Sequence, residues 1–355
     1  MSRANNFLQS LPRLWFQESL SPLLLLLLPL SWLFRGLVAI RRFLYRQKIL
    51  SSVALSVPVI VVGNLTVGGS GKTPLALWLV QSLRERGWHP GIISRGYGGE
   101  VGVIRPVVPT SEAAVVGDEP LLLAQRGGVP VFVGRDRVAA GNALLAAHPE
   151  CDVLVSDDGL QHYRLERCVE IAVFDRRGAG NGRLLPAGPL REPMRRLSEV
   201  TAVVLNGGVA HASLADTAGA PYFSMCLVGQ RFIALRNSQE TCSAEDLKGK
   251  SLHALAGIGD PSRFFSQLSG MGLEFSPHPF PDHQAYSTED LSFARDGVLL
   301  MTEKDAVKCS GLALPEAWEA WVLPVEARID NINNAPDGNS LLDKIVEKLN
   351  GRTPA

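Results

Sequence analysis

Residues 57–74 read "VPVIVVGNLTVGGSGKTP" and carry the clearest structural signal in the chain. The apolar run "VPVIVV" is typical of a buried strand, and the glycine-rich turn after it closes on Gly71, Lys72 and Thr73. A strand, such a turn and a helix, in that order, form the phosphate-binding loop of P-loop nucleotide-binding proteins. That pattern usually has glycine five places before Gly71, where this chain has Thr66. The stretch therefore predicts a purine nucleoside triphosphate site whose loop departs from the usual pattern at Thr66.

Glycine lets a backbone approach a ligand closely and adopt positive φ, so the loop is expected to wrap phosphates with its N–H groups. Lys72 is expected to reach the β- and γ-phosphates and Thr73 to ligate Mg²⁺, with the positive end of the next helix facing the anion. We expect Thr66 to be tolerated because it lies where the loop leaves the strand. The predicted nucleotide-binding residues are Thr66, Val67, Gly68, Gly69, Ser70, Gly71, Lys72 and Thr73.

Beyond the loop, short apolar runs alternate with helical stretches, a pattern that predicts parallel strands joined by crossover helices. A smaller cycle of the same kind begins after about residue 215, and in "GVLLMTEKDAVK" (297–308) we expect a strand followed by a loop. The predicted fold is α/β: a P-loop NTPase-like parallel sheet with helices on both faces, plus a smaller C-terminal α/β domain. The predicted segments are an N-terminal head (1–50), a P-loop domain (51–215) and a smaller domain (216–355).

The N-terminal head is basic. Residues 1–50 carry a net charge of +6, with Glu18 as the sole acidic residue, although the whole chain is neutral. A basic head on a mildly acidic body indicates an anionic partner, either nucleic acid or lipid head groups. The neighbouring apolar residues favour lipid, so no nucleic acid partner is expected.

The apolar run "SPLLLLLLPLSWLF" (21–34) lies in a charge-free span of 16 residues that starts at Ser19. A spanning helix needs about 20 residues. The next stretch, "RGLVAIRRFLYRQK" (35–48), alternates apolar and basic residues as a helix lying in a membrane surface does. We therefore expect a membrane-associated helix; a true span, an ordinary core helix and a secretory signal are the alternatives.

Carboxylates at the ends of apolar runs are the next candidates. "DVLVSDDG" (152–159) ends a predicted strand in Asp157 and Asp158, at the edge where open α/β sheets bind ligands. One of the two is expected to bind Mg²⁺ through water and the other to orient an acceptor. Asp118 precedes a predicted helix, so the local pattern favours an N-cap role over a functional one.

Several basic and polar residues follow predicted strands on the same side as the loop. Arg135 and Arg137 open a helix, the unfavourable end for a cation unless an anion is bound there. Arg191 lies among glycine and prolines in "LLPAGPLREP" (184–193), and Gln161 lies in the loop "GLQHYRL" (159–165).

Charged residues in the C-terminal half are expected to be ordinary surface groups. His283 follows Asp282 in a proline-rich loop, and the cluster in "MTEKDAVK" (301–308) is typical of a solvated face. The cluster also resembles a guanine-reading element, but Glu303 interrupts that motif, which excludes guanine specificity. The five cysteines lack metal or CxxC spacing and are expected to be reduced.

Taken in order, these motifs resemble those of the tetraacyldisaccharide 4′-kinase family, the lipid A 4′-kinases of Gram-negative bacteria. The matching stretches are "GNLTVGGSGKTP", "SRGYGG", "VGDEP", "VFVGRDRVAA", "SDDGLQH", "LPAGPLREP", "GIGDPSRFF", "FPDHQAYS" and "LLMTEKDAVK". Threonine or serine at the position of Thr66 is usual in that family, which accounts for the departure in the loop.

The resemblance implies transfer of the ATP γ-phosphate to the 4′-hydroxyl of tetraacyldisaccharide 1-phosphate, which yields lipid IVA. By motif, it implies that Asp118 is the general base, paired with His283, and that Asp157 and Asp158 serve the metal and the acceptor. Arg135, Arg137, Gln161 and Arg191 become candidates for contacts with the substrate or the transferring phosphoryl group. It also implies a place at the cytoplasmic face of the bacterial inner membrane, in contact with its lipids.

Two other classes of protein share parts of this pattern. A membrane-docked regulatory P-loop ATPase has an extra lysine in its loop where this chain has Val67, which argues against that class. A nucleotide-binding adaptor without catalysis would have no use for Asp118, Asp157 and Asp158.

Overall fold

The computed structural model describes residues 14–17, 21–100, 102–207, 219–282, 284–309, 311–315, 318–331 and 340–351. Within these ranges the chain forms two sheets flanked by helices. The helices are α1 (Pro22–Leu25), α2 (Leu28–Arg46), α3 (Lys72–Glu85), α4 (Ala113–Val116), α5 (Asp118–Gly127), α6 (Arg137–Ala147), α7 (Pro261–Gly270), α8 (Glu303–Cys309) and α9 (Leu341–Asn350). Short 3₁₀ segments occupy Met194–Glu199, Glu245–Leu247 and Ser292–Ala294.

The larger sheet has the order β15-β8-β7-β6-β1-β5-β2-β4-β3. Its strands are β1 (Val59–Gly63), β2 (Pro90–Ser94), β3 (Arg105–Val107), β4 (Val131–Val133), β5 (Val153–Asp157), β6 (Val169–Asp175), β7 (Ala202–Asn206), β8 (Tyr222–Val228) and β15 (Glu326–Asn331). Neighbouring strands pair in parallel except at the two edges, where β3 and β15 run antiparallel to their neighbours. The predicted α/β fold with a parallel sheet is confirmed.

Helices cover both faces of this sheet because side chains alternate along a strand. Ile60 and Val62 of β1 pack with α3, α5 and α9 on one face. Val59 and Val61 pack with α6 on the other face, which Phe34 of α2 also contacts. Strand β1 is buried along its whole length, so the loop that follows it is held on a rigid base.

The smaller sheet has the order β10-β9-β14-β13-β11-β12. Its strands are β9 (Phe232–Ala234), β10 (Thr241–Cys242), β11 (Leu252–Ala256), β12 (Ser276–Pro279), β13 (Val298–Thr302) and β14 (Glu319–Leu323). Helix α7 packs on one face through Phe264 and Leu268. The residues after β13 form helix α8, whereas the sequence pattern predicted a loop there.

The strands are grouped differently from the predicted segments 51–215 and 216–355. Strand β8 extends the larger sheet by pairing with β7, and the chain then crosses to the smaller sheet at β9. Strand β15 returns and pairs with β8, after which α9 packs against the core of the larger sheet. Ile329 of β15 and Ile345 of α9 pack with the core of the larger sheet.

Helix α2 presents an apolar surface to solvent. Its side chains Trp32, Leu33, Leu37 and Ile40 are each more than half exposed. The opposite side is attached to the body by Ser31 Oγ, which donates to the carbonyl of Leu184 at 2.7 Å. Among the described residues, no helix combines the length and apolar character needed to cross a membrane.

Candidate active site

The glycine loop between β1 and α3 has the backbone conformation that its sequence predicts. Gly68 and Gly71 have φ of 97° and 96°, a region that favours glycine. A Cβ at Gly71 would lie 2.1 Å from Asn206 Nδ2, so a larger residue is also excluded by contact. The side-chain amide of Asn206, at the end of β7, donates to the carbonyl of Ser70 at 3.0 Å and thus holds the loop against the sheet.

Thr66 fits because its part of the loop is extended and paired. Thr66 forms an antiparallel bridge with Leu190, and Val67 N donates to the carbonyl of Pro189 at 2.9 Å. Extended backbone suits a β-branched residue and needs no positive φ. The segment 184–193 therefore lies beside the loop, as the sequence predicts.

Lys72 and Asp158 meet at the start of α3. The Lys72 side chain is buried, and its Nζ lies 3.6 Å from Asp158 Oδ1. Arg191 Nη1 donates to both Asp158 oxygens, at 3.1 and 3.3 Å. Burial alone would raise the pKa of Asp158, but the charges of Lys72 and Arg191 outweigh it and lower that pKa to about 2. Asp158 is therefore an ionised, fixed carboxylate beside the loop.

Asp157 has the opposite environment, although it is the adjacent residue. Its side chain is fully buried, and no described residue donates a hydrogen bond to either carboxylate oxygen. Burial raises the pKa of Asp157 well above its ordinary value, and the nearby Glu119 carboxylate raises it further. Buried carboxylate oxygens without partners are costly unless a cation or its water shell occupies the space beside them. The Asp157 carboxylate thus fits the predicted Mg²⁺ site.

Asp118 is the first residue of α5, while Gly117 occupies the N-cap position. Its Oδ1 accepts a hydrogen bond from Glu119 N at 3.0 Å, and its Oδ2 lies 3.7 Å from Lys304 Nζ. The interpretation of Asp118 as an N-cap is therefore wrong, since Gly117 occupies that position and Asp118 is the first residue of the helix. Its predicted partner His283 lies outside the described residues.

Lys304 lies on α8, which follows strand β13 of the smaller sheet, and it contacts α5 beside the larger sheet. Its Nζ lies 3.0 Å from Glu119 Oε1 and 3.1 Å from Asp282 Oδ1. On the same helix, Glu303 pairs with Arg126 of α5. The prediction that this charge cluster is a solvated face is wrong, because the Glu303 and Lys304 side chains are largely buried and pair with residues of α5.

A cavity of about 460 Å³ opens beside the loop, between the two sheets. Its floor is the loop 69–74, and its apolar wall includes Leu227, Ile258, Phe264 and Leu323. Asn206 and Arg263 supply polar groups at its inner end. An apolar cleft with a few polar groups and an anion-binding loop is typical of a nucleotide site.

Comparisons with known proteins identify relatives of this chain. The model of the family described as tetraacyldisaccharide-1-P 4′-kinase matches residues 23–346. The chain is 54% identical to a tetraacyldisaccharide 4′-kinase from Dechloromonas aromatica over 97% of this chain and 98% of that protein. It is 52% identical to one from Azoarcus sp. over the full length of both chains.

The chain belongs to the tetraacyldisaccharide 4′-kinase family.

A solved member of this kinase family has the same fold. The crystal structure of the "apo" form of LpxK from Aquifex aeolicus in complex with ATP has a TM-score of 0.75 and 29% sequence identity to this chain. The match covers 92% of this chain and 99% of that one.

In the present chain, the predicted residues Arg135 and Arg137 occupy different environments. Arg137 is buried and donates to the carbonyls of Gly134 and Asp158, at 3.2 and 3.3 Å. Burial lowers the pKa of Arg137 to about 10 despite the charges of Asp158 and Asp157. Arg137 therefore supports the turn at the end of β5 and is poorly placed for a substrate. Arg135 is exposed and forms no ion pair with any described residue.

Gln161 lies close to the loop, as predicted. Its Nε2 donates to the carbonyl of Asn64 at 3.1 Å, and its Oε1 accepts from Arg191 at 3.4 Å. Gln161 and Arg191 thus hold Asp158 and the loop together. The structure brings the predicted residues 66–73, 118, 157, 158, 161 and 191 to one edge of the larger sheet.

Sequence reasoning missed Arg177 and Arg95. Arg177 donates to Gly69 O at 3.3 Å and to Gly259 O at 3.0 Å, so it joins the loop to the smaller sheet. Arg95 is exposed and directly follows β2. Strand β2 pairs with β4, and Arg135 lies two residues after β4. A basic residue within two positions of a strand end was the available signal for both.

Proposed function

We propose that this chain transfers the γ-phosphate of ATP to the 4′-hydroxyl of tetraacyldisaccharide 1-phosphate and forms lipid IVA. The observation that carries the proposal is the grouping of Lys72, Asp118, Asp157 and Asp158 at one sheet edge. Family membership supports the same acceptor, since the relatives are named for it.

The triphosphate is assigned to the loop 66–73, with Lys72 on its β- and γ-phosphates. Lys72 is already drawn toward Asp158 at 3.6 Å, so a bound phosphate would share it with that carboxylate. The cavity next to the loop is assigned to the nucleoside, whose base would contact the apolar wall at Ile258 and Phe264. The Aquifex aeolicus family member was crystallised in complex with ATP, which supports ATP as the donor.

Mg²⁺ is assigned to Thr73 and Asp157 because Asp157 offers two buried carboxylate oxygens without hydrogen-bond partners among the described residues. When bound, Mg²⁺ neutralises charge that develops on the transferring phosphoryl group. Arg137 holds the turn that aims Asp157, and Arg191 holds Asp158 in its ionised form.

Asp118 is assigned as the general base that accepts the proton of the 4′-hydroxyl at one carboxylate oxygen. A carboxylate accepts this proton only as the oxygen attacks phosphorus, so its position matters more than its basicity. The pairing of Asp118 with His283 stays a prediction. The exposed side chains of Arg95 and Arg135 are assigned to the anionic part of the acceptor, because no described acid neutralises them.

Helix α2 is assigned to the cytoplasmic face of the inner membrane. Its exposed apolar side chains lie on the same helix as the exposed cations Arg35, Arg41 and Arg46. An apolar face with a cationic rim binds lipid by burying side chains among acyl chains and attracting anionic head groups. This position would let the acyl chains of the acceptor stay in the bilayer while its sugar enters the cleft.

The test uses γ-³²P-labelled ATP, Mg²⁺ and tetraacyldisaccharide 1-phosphate in detergent micelles. We expect label in the lipid, and NMR of the product should place the new phosphate at the 4′ position. ATP hydrolysis that is unaffected by the lipid would instead indicate a regulatory ATPase and would overturn the proposal.

A further inference from the structure

Arg263 of helix α7 is connected to the phosphate-binding loop through one other side chain, that of Asn206. Its Nη2 donates to Asn206 Oδ1 at 2.5 Å, and Asn206 Nδ2 donates to the carbonyl of Ser70 at 3.0 Å. Asn206 is 1% exposed, so water competes little for either hydrogen bond. Helix α7 packs on the smaller sheet, whereas Asn206 is the last residue of β7 in the larger one. Two hydrogen bonds in series therefore link the smaller sheet to the loop.

The guanidinium of Arg263 determines which way the Asn206 amide faces. The oxygen and nitrogen ends of an asparagine amide have nearly the same shape, but one end accepts hydrogen bonds and the other donates them. A guanidinium only donates, so it selects the orientation in which Oδ1 faces Arg263 and Nδ2 faces Ser70. In the reverse orientation, the amide oxygen and the Ser70 carbonyl would be two buried acceptors facing each other, which is costly.

The Asn206 amide lies against the turn of the loop that requires glycine. A Cβ at Gly71 would lie 2.1 Å from Asn206 Nδ2, and Gly71 has a φ of 96°. Gly71 is also the N-cap residue of α3, whose first two residues are Lys72 and Thr73. A change in the position of the amide would therefore displace the backbone that carries the residues assigned to the triphosphate and Mg²⁺.

A second contact joins the same part of the smaller sheet to the loop. Gly259 lies between β11 and α7, and a Cβ there would lie 2.7 Å from Gly69 N. Arg177 bridges the two glycines by donating to the carbonyl of Gly69 at 3.3 Å and to that of Gly259 at 3.0 Å. The loop is thus held by residues 259–263 at two points, of which Arg263 supplies one.

We infer that Arg263 is a positioning residue for the triphosphate: it orients the Asn206 amide, and that amide holds the loop at Ser70 and Gly71 in the shape that binds phosphate. The inference rests on the proposed function, which assigns the triphosphate to this loop. Arg263 also lines the cavity assigned to the nucleoside, so direct contact with the nucleotide is the competing explanation. If Arg263 acts through Asn206, its effect should disappear when Asn206 is removed.

The test is a double-mutant cycle on binding affinity, measured by calorimetry with ATP and Mg²⁺ and again with inorganic tripolyphosphate. The proteins are wild type, Arg263→Met, Asn206→Ala and the double variant. Each single variant should bind ATP about 10-fold more weakly, the effect of losing one strong hydrogen bond. The double variant should also be about 10-fold weaker, whereas independent effects would give about 100-fold. Tripolyphosphate should show the same ratios because the loop alone binds it.

Two further variants serve as controls. Arg263→Lys keeps a cation that only donates, and one donated hydrogen bond is what Asn206 Oδ1 receives from Arg263. We therefore expect its ATP affinity to stay within about 3-fold of the wild-type value. Arg295→Met removes an exposed arginine that directly follows the 3₁₀ segment Ser292–Ala294, and it should bind ATP as wild type does.

Three results would overturn the inference. Unchanged ATP affinity in Arg263→Met would show that the guanidinium is not needed. Additive losses in the double variant would show that Arg263 acts on the nucleotide directly. A loss that Arg263→Lys does not recover, with a lower Tm in both Arg263 variants, would show a merely structural contact.

Failure of the proposed function gives a different result. If wild type binds ATP but transfers no phosphate to the lipid, the proposed reaction is wrong, while the binding cycle still decides the role of Arg263. If wild type binds neither ATP nor tripolyphosphate, both the proposed function and this inference are wrong.

Discussion

Asp157 and Asp158 are adjacent carboxylates for which the structure predicts opposite effects on stability. Asp157 is fully buried with no donor among the described residues, whereas Asp158 is held by Arg191 at 3.1 Å and Lys72 at 3.6 Å. Changing each to Asn keeps the shape and removes the charge. Asn also tolerates the positive φ of 49° at Asp158, so backbone strain does not confound the comparison.

Asp157→Asn should stabilise the protein in the absence of nucleotide and metal. Removing a buried ionised group without partners is expected to contribute about 1–3 kcal/mol. For a chain of 355 residues, the unfolding entropy converts this to an increase in Tm of about 1–4 °C. Asp158→Asn should lower Tm by about 1–3 °C, because charge-assisted hydrogen bonds to a quarter-exposed carboxylate are lost.

The pH dependence gives the two effects different signatures. Burial raises the pKa of Asp157 in the folded protein. The ionised carboxylate therefore destabilises the fold more as pH rises above the pKa of Asp157 in the unfolded chain, and Asp157→Asn removes this destabilisation. The pKa of Asp158 is lowered to about 2, so its stabilisation is present above the unfolded value of about 3.9 and is lost as pH falls toward 2. Asp157→Asn should therefore gain most at pH 8, and the loss in Asp158→Asn should shrink below pH 4.

The assay is thermal unfolding followed by circular dichroism in EDTA between pH 3.5 and 8.5, then repeated with Mg²⁺ and ATP. Asp157→Asn should lose the additional stabilisation that Mg²⁺ gives to the ATP complex, along with most of the transfer activity. If Asp157→Asn lowers Tm as much as Asp158→Asn at pH 8, then Asp157 is not an isolated buried carboxylate and its assignment to the metal is wrong.

Three further predictions concern the loop, the base and the membrane helix. Lys72→Ala should lower transfer by about 10²–10³-fold or more, measured with labelled ATP; near-normal activity would remove the loop from the mechanism. Asp118→Ala should lower kcat by orders of magnitude with little change in ATP affinity by calorimetry, and weaker binding at unchanged kcat would show a structural role. Leu33→Glu with Leu37→Glu should release the protein from anionic vesicles in a flotation assay without changing ATP affinity, while the control Val103→Glu with Val108→Glu, which alters exposed residues elsewhere, should still float. Vesicle binding that persists in the α2 variant would place the membrane contact on another surface.

Local sequence patterns predicted the part of the site that is formed by residues close together in the chain. The glycine loop, its strand and its helix are neighbours in the chain, and Asp157 and Asp158 follow directly from the end of a buried strand. Parallel strands then bring these ends to one edge of the sheet, so their proximity follows from the fold class.

Contacts between distant segments were not predictable in this way. Lys304 meets Glu119 across 185 positions in the chain, and nothing in the local pattern distinguishes it from a surface lysine. Arg137 looked like an anion ligand at a helix start, but folding buries it against the carbonyls of a turn 20 residues later. Helix α8 replaced a predicted loop because its packing against α5 stabilises a short segment with weak periodicity of its own.

The most direct test is a crystal structure with a non-hydrolysable ATP analogue and Mg²⁺. We expect the triphosphate in the loop 66–73, with Mg²⁺ bound by Thr73 and by Asp157, directly or through water. The Asp118 carboxylate should face the γ-phosphate across a gap wide enough for a sugar hydroxyl. A nucleotide bound outside this loop would contradict the assignment of the triphosphate, and an Asp118 side chain turned away from the γ-phosphate would contradict its role as the base.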